Sequence, residues 1–155
     1  MNRLSPVLRD APGLLLVLIG GMVGTAARLH LEQAFPAQSG RWPMTTFVIN
    51  LVGALILAAL LEYLASTRLD EELGRRIRLF GGTGLCGGFT TYSSFAQEQV
   101  NLVRDGQLPI ALGYGLGTLL CGAIGTIAGL AIGARLVRGT ATDPEFIDPD
   151  SGDRR

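Results

Sequence analysis

Four stretches of this chain carry no charged residue: 11–27, 42–61, 79–97 and 106–134. A helix needs roughly 20 mostly apolar residues to cross a bilayer, and about 17 at the least. Four such runs use most of the 155 residues and leave only short connections between them. A soluble helical protein would carry charges along the outer faces of its helices, and these four runs have none. The pattern predicts an all-α membrane protein with four transmembrane helices, at about 12–29, 43–63, 77–102 and 109–136. The four-helix transmembrane domain is expected over 1–137. The remainder, 138–155, is acidic, contains proline and is nearly free of large apolar residues, so it reads as a disordered polar tail. The charged loop 66–78 is expected to begin as a helical extension.

The N-terminus has the outline of a signal peptide, with Arg3 and Arg9 before an apolar run. Gly20, Gly21 and Gly24 interrupt that run and Arg28 follows it directly, so a packing helix is the better reading. Gly20 and Gly24 share a face with Arg28, and small residues at this spacing let helix backbones approach closely in lipid. A similar row, Gly113, Gly117, Gly125, Gly129 and Gly133, runs along the fourth span. Cys86 and Cys121 both fall within spans and read as small buried residues. Zero net charge gives no sign of a nucleic-acid partner. There is no lysine, and 10 of the 13 basic residues fall on the side of the two termini and the 66–78 loop. Only Arg28, Arg41 and Arg104 lie on the other. The positive-inside rule then places both termini in the cytoplasm.

The third span is chemically unlike the others. Residues 81–95 read GGTGLCGGFTTYSSF, with five glycines and a run of hydroxyl-bearing side chains from Thr90 to Ser94. A lipid-facing helix gains nothing from this composition. Backbone that leaves the helix at membrane depth is tolerated only inside protein or along a polar cavity. Asn50 stands near the middle of span two, on one face with Thr46 and Gly53. Its amide either joins helices or offers N–H donors to an anion, and position alone leaves the two readings even. Tyr92 and Phe95, three apart, share a helical face; ordinary packing competes with a role for their positive ring edges. Tyr114 and Thr118, with Thr46, Asn50, Ser93 and Ser94, form either a polar track or a set of local hydroxyl-to-backbone bonds.

No acidic residue lies at mid-span; Glu62 and Glu98 end spans two and three. A proton-coupled exporter would hold an ionisable group near the midplane, so its absence argues against that class. His30, the sole histidine, lies at an interface. No catalytic triad, metal cluster or phosphate loop appears, and nothing argues for an enzyme. The residues leave open a small secondary transporter for another solute, or a structural membrane subunit. The latter explains the glycine rows but not Asn50 together with the hydroxyl and aromatic cluster.

Across about residues 13–136 the chain resembles the Fluc (CrcB-type) fluoride channels. The resemblance is carried by GGMVGTAAR in span one, TTFVINLVGAL in span two, GGTGLCGGFTTYSSFAQE in span three, and the glycine-rich span four with Tyr114. It implies a fluoride-selective channel that passively exports fluoride across a bacterial inner membrane and lowers its toxicity. It further implies an antiparallel, dual-topology dimer with pores along the subunit boundary and a third helix broken at its centre. The backbone carbonyls of Gly87 and Thr90 would hold a structural sodium ion at the dimer centre. Asn50 would give the pore an amide donor. Tyr92 and Phe95 would occupy the two aromatic positions, and Thr46, Glu98, Tyr114 and Thr118 would fall along or near the polar track. Arg28 would favour anions at the vestibule. Tyr92 replaces the family's usual phenylalanine, which keeps the ring edge but adds a hydroxyl. The arginine bias fits poorly with free insertion in both orientations, so a heterodimer with a homologous subunit of opposite bias is the alternative to a homodimer.

Overall fold

The computed structural model of the chain describes residues 11–140, with backbone only at Thr140. All its regular structure is helical: α1 (Ala11–Ala34), α2 (Met44–Ser66), α3 (Glu71–Ile77), a π-helical segment (Arg78–Cys86), α4 (Gly87–Phe89), α5 (Tyr92–Arg104) and α6 (Leu108–Thr140). Three helices are long and apolar enough to cross a membrane: α1, α2 and the stretch Leu108–Gly139.

Several boundaries differ from those expected. Helix α1 runs five residues past 29, because Arg28 and Glu32 pair across one turn and keep its charged end helical. Helix α2 stops at Ser66, where the Thr67 N–H and hydroxyl both turn back onto the Tyr63 carbonyl. The loop therefore does not continue far as helix from its beginning. It starts afresh at α3, where the Asp70 carboxylate accepts the Leu73 N–H at 3.0 Å as an N-cap. Helix α6 continues through 138–140, part of the expected tail; the rest of that tail lies outside the described residues. At 33 residues α6 is about 50 Å long, well beyond an ~30 Å hydrocarbon layer, so it tilts or projects.

Two close helix pairings build the molecule. Helix α1 packs along the π-helical segment and α4, and α2 packs along α6. Glycine sets the first crossing: a Cβ on Gly84 would lie 2.7 Å from the Val17 carbonyl oxygen and 3.0 Å from the Gly20 Cα. The second is equally close, since a Cβ on Gly129 would meet the Ala58 Cβ at 2.8 Å and strike the Leu55 carbonyl. Without a hydrophobic drive between helices in lipid, such backbone contact supplies the packing energy. A buried cluster of Leu102, Ala111 and Tyr114, with Trp42, Phe47, Phe95 and Ile110 against it, fastens α5 to α2 and α6. Outward-facing apolar side chains such as Met22, Leu119, Leu120 and Ile127 remain exposed, as expected of a surface solvated by hydrocarbon or by another subunit. Cys86 is buried and Cys121 half-buried, both as free thiols.

Candidate functional site

The site is organised by two residues that leave the helix. The chain is helical to Phe89 and again from Tyr92, while Thr90 (ψ 156°) and Thr91 (φ −145°, ψ 125°) are extended. In a continuous helix each N–H bonds to the carbonyl four residues earlier. Here the Thr91 N–H, which would serve Gly87, instead donates to Asn50 Oδ1 at 2.9 Å. The Ser94 N–H, which would serve Thr90, donates to Thr91 Oγ1 at 3.1 Å and caps α5. The Gly87 and Thr90 carbonyls thus lose their helical donors. The Gly88 carbonyl is served from α1 by the Thr25 hydroxyl (3.4 Å) and Arg28 Nε (3.3 Å).

Asn50 holds the interruption in place. Besides accepting from Thr91, its Nδ2 donates to the Thr91 carbonyl at 3.0 Å, so the carboxamide pairs with both backbone groups of one residue. Thr91 is only 7% exposed, so water is a poor substitute for that pairing. One of the two amide N–H groups remains beyond this bond. Asn50 also lines an open groove of about 400 Å³ with Gly53, Thr90, Thr91, Tyr92 and Phe95. Thr118 reaches the same groove from α6, although its hydroxyl donates locally to the Tyr114 carbonyl at 2.7 Å.

The two aromatic candidates have different settings. Tyr92 is 81% exposed within the single chain and Phe95 is half-buried, with ring centroids 6.1 Å apart. Phe95 also contacts the fully buried Tyr114 at 5.0 Å. The Tyr114 hydroxyl donates to Glu98 Oε2 at 2.7 Å, and the Thr46 hydroxyl to Glu98 Oε1 at 2.6 Å. Glu98 therefore fixes two hydroxyls from two other helices, α2 and α6.

Arg28 does not stand alone. Its Nη1 pairs with Glu32 at 3.2 Å, and Glu32 Oε1 accepts the Ser94 hydroxyl at 3.0 Å. The structure thus gathers the candidates into three adjoining groups: Asn50, Gly87 and Thr90 about the extended residues, with Tyr92, Phe95 and Thr118 along the groove; Thr46, Glu98 and Tyr114 in a hydroxyl–carboxylate group; and Arg28 at the α1 crossing. Sequence reasoning missed Glu32 and Thr25, and it did not identify Thr91 as the residue Asn50 grips. The Arg28-to-Glu32 spacing of four was a legible ion-pair signal. The Asn50–Thr91 pairing had no sequence signal, because it joins a side chain to a backbone 41 residues away. Among the described residues no group of three His, Cys, Asp or Glu side chains is placed to hold a metal ion.

Comparison with known proteins gives the family of the chain. The family described as CrcB-like protein, Camphor Resistance (CrcB), matches residues 15–130. A protein of Leifsonia xyli subsp. xyli named fluoride-specific ion channel FluC 2 is 43% identical over 138 residues, covering 88% of this chain and 94% of that protein. Fluoride-specific ion channel FluC 1 of Cutibacterium acnes is 42% identical over 109 residues, 70% of this chain and 76% of its own. Fluoride-specific ion channel FluC of Francisella tularensis subsp. mediasiatica is 38% identical over 120 residues, covering 77% and 92%. With its long apolar helices and this match over most of its length, the chain is a multi-pass membrane protein and belongs to the CrcB-like (Camphor Resistance) family.

Proposed function

We propose that the chain forms a fluoride-selective channel that lets fluoride leave a bacterial cytoplasm passively across the inner membrane and so lowers its toxicity. The observation that carries the reading is the groove beside Thr90 and Thr91. It collects an amide, hydroxyls and two aromatic rings within an otherwise apolar bundle, in a chain whose relatives are named fluoride-specific channels. Fluoride holds its water tightly, so a pore must replace that shell with donors yet let the ion go. The remaining Asn50 N–H and the edges of Tyr92 and Phe95 offer contacts of that weak kind. Thr46 and Tyr114 donate to Glu98; a passing fluoride would borrow these hydroxyls from the carboxylate, a short rotation rather than a rearrangement.

The proposal includes four membrane crossings, the third being the interrupted stretch from the π-helical segment through α5. It also includes an antiparallel dimer, because Tyr92 and Gly87 are exposed in the single chain at the depth where the chain's polar chemistry lies. The Gly87 and Thr90 carbonyls suit a hard cation such as sodium, which takes oxygen ligands, and the same pair from a second copy would double the set. When bound, sodium would supply positive charge to the broken helix ends. The arginine bias keeps two forms of dimer in play, homomeric or with a homologous subunit of opposite orientation. A reporter fused to the C-terminus separates them: equal populations on both sides of the membrane support the homodimer.

The test of the site is Tyr92→Leu. The exposed ring contributes little to the fold of one chain, so the variant should remain well folded while fluoride efflux from liposomes falls. Undiminished efflux would remove the ring edge from the mechanism.

A further inference from the structure

We propose that Glu32 sets the rate at which the channel admits anions, by cancelling Arg28 and keeping the entrance to the hydroxyl–carboxylate group negative; the inference rests on the channel reading above.

Glu32 closes α1 beyond the apolar run, where the chain passes into the 35–43 connection. Its carboxylate has three engagements. Both oxygens accept from Arg28 Nη1, at 3.4 and 3.2 Å, and Oε1 takes the Ser94 hydroxyl at 3.0 Å. Ser94 in turn accepts from Thr91 Oγ1 at 3.1 Å, so the chain of hydroxyls beginning at the extended residues ends on Glu32. The same carboxylate lines a cavity of about 260 Å³ with Thr46, Ser94, Gln97, Glu98 and Asn101. Two carboxylates line this cavity, and no cationic side chain does. Arg28, the one guanidinium bound into the network, is spent on Glu32 and on the Gly88 carbonyl.

An anion at this mouth meets the Glu98 carboxylate with no cationic side chain on the cavity wall, Arg41 lying in the adjoining cavity, and the Ser94 proton that would solvate it already points at a carboxylate. Replacing Glu32 by glutamine alters this setting. The negative charge goes, the guanidinium loses its counter-ion, and an amide with two N–H donors takes the carboxylate's place. Glu32 is thus a rate-setting residue at the entrance and need not touch the ion in the groove. A unit charge about 8–10 Å away in a water-filled mouth changes local ion occupancy about twofold, with more where water is scarce. Salt screens the effect over a Debye length of about 8 Å at physiological strength.

Two measurements test the proposal, and the first needs no conduction. Asn101→Cys is placed in a background carrying Cys86→Ala and Cys121→Ala, and its modification by a negatively charged and a positively charged thiosulfonate reagent is timed. Glu32→Gln should speed the anionic reagent and slow the cationic one, each about twofold at low salt. Glu32→Asp, which keeps the charge, should leave the ratio near that of the parent. An unchanged ratio in Glu32→Gln overturns the proposal whatever the protein conducts. The second measurement is fluoride efflux from liposomes at low and high ionic strength. Glu32→Gln should exceed the parent about twofold to fourfold at low salt, with the gain shrinking as salt rises. Equal or slower efflux in Glu32→Gln, from protein eluting like the parent, marks Glu32 as a brace and overturns the proposal. No fluoride efflux from the parent itself counts against the channel reading, and the reagent ratio still decides the role of Glu32.

Discussion

Replacing Asn50 by alanine exposes how the interrupted segment is held. The substitution deletes two hydrogen bonds, Asn50 Nδ2 to the Thr91 carbonyl at 3.0 Å and the Thr91 N–H to Asn50 Oδ1 at 2.9 Å. Both orphaned groups belong to a buried residue. A buried polar group left unpaired costs about 1–3 kcal/mol, which gives about 2–6 kcal/mol for the pair. Side-chain hydrogen bonds between membrane helices average only ~0.6 kcal/mol, with ~1.7 at most, because the unfolded chain in the membrane finds other partners. On that scale the pair is worth about 1–3 kcal/mol. The ranges meet at about 2–3 kcal/mol, and the near-complete burial of Thr91 places this case at the upper end of the membrane scale. Asn50→Asp is the informative companion. It keeps an acceptor for the Thr91 N–H but sets an oxygen against the Thr91 carbonyl, so it should destabilise at least as much as alanine. The assay is reversible unfolding in mixed micelles with increasing anionic detergent. A loss below about 0.5 kcal/mol, the size of a neutral surface change, in both variants would refute the pairing as the anchor of the break.

Other expectations follow from the same geometry. Tyr114→Phe removes a 2.7 Å bond to Glu98 from a fully buried side chain and should cost about 1.5–3 kcal/mol, the value for hydrogen bonds to charged groups; unchanged stability would count against that group as a structural unit. Gly24→Ala drives a methyl group into the Leu85 carbonyl and to within 2.8 Å of the Phe89 nitrogen, so it should lower stability by about 1–3 kcal/mol. Gly74→Ala meets nothing within 4 Å on α3 and should gain up to about 1 kcal/mol; thermal unfolding of the two variants in detergent checks both signs. Outside the membrane, the Arg75 and then the Arg76 hydrogen bonds pull the Glu72 carboxyl down from 4.5 to about 2. A depressed acid lends its stability above its unfolded pKa and loses it as pH falls through the folded one, so α3 keeps these pairs down to about pH 2. A carboxyl midpoint near 4.5 by NMR would show that the pairs do not persist in solution.

How much was legible in the sequence depended on whether the signal was local. Charge-free length marked α1, α2 and α6 directly, because hydrocarbon admits little else. The glycines of residues 81–95 singled out that stretch, since a wide, side-chain-poor backbone is what lets α1 cross so closely at Gly84. Its π-helical winding from Arg78 to Cys86 has no comparable signature in the sequence, although the Gly20 and Gly24 face of α1 lies closely against it. Candidate polar residues were identifiable from their expense in lipid, but their partners were not. Asn50 pairs with a backbone, Thr118 turns back on its own helix, and Arg28 is neutralised one turn away by a residue beyond the apolar run. Each of these alters what the residue presents to an ion. An amide with one N–H committed, or an arginine already paired, is a weaker anion ligand than its position in the sequence suggests.

The central claim is tested most directly by the reversal potential of the purified protein in a planar bilayer, under a fluoride gradient with chloride at equal concentration on both sides. The account predicts current that reverses at the fluoride equilibrium potential and does not move when chloride replaces an impermeant anion. Reversal that follows chloride, or a well-folded protein that carries no current at any voltage, would contradict it.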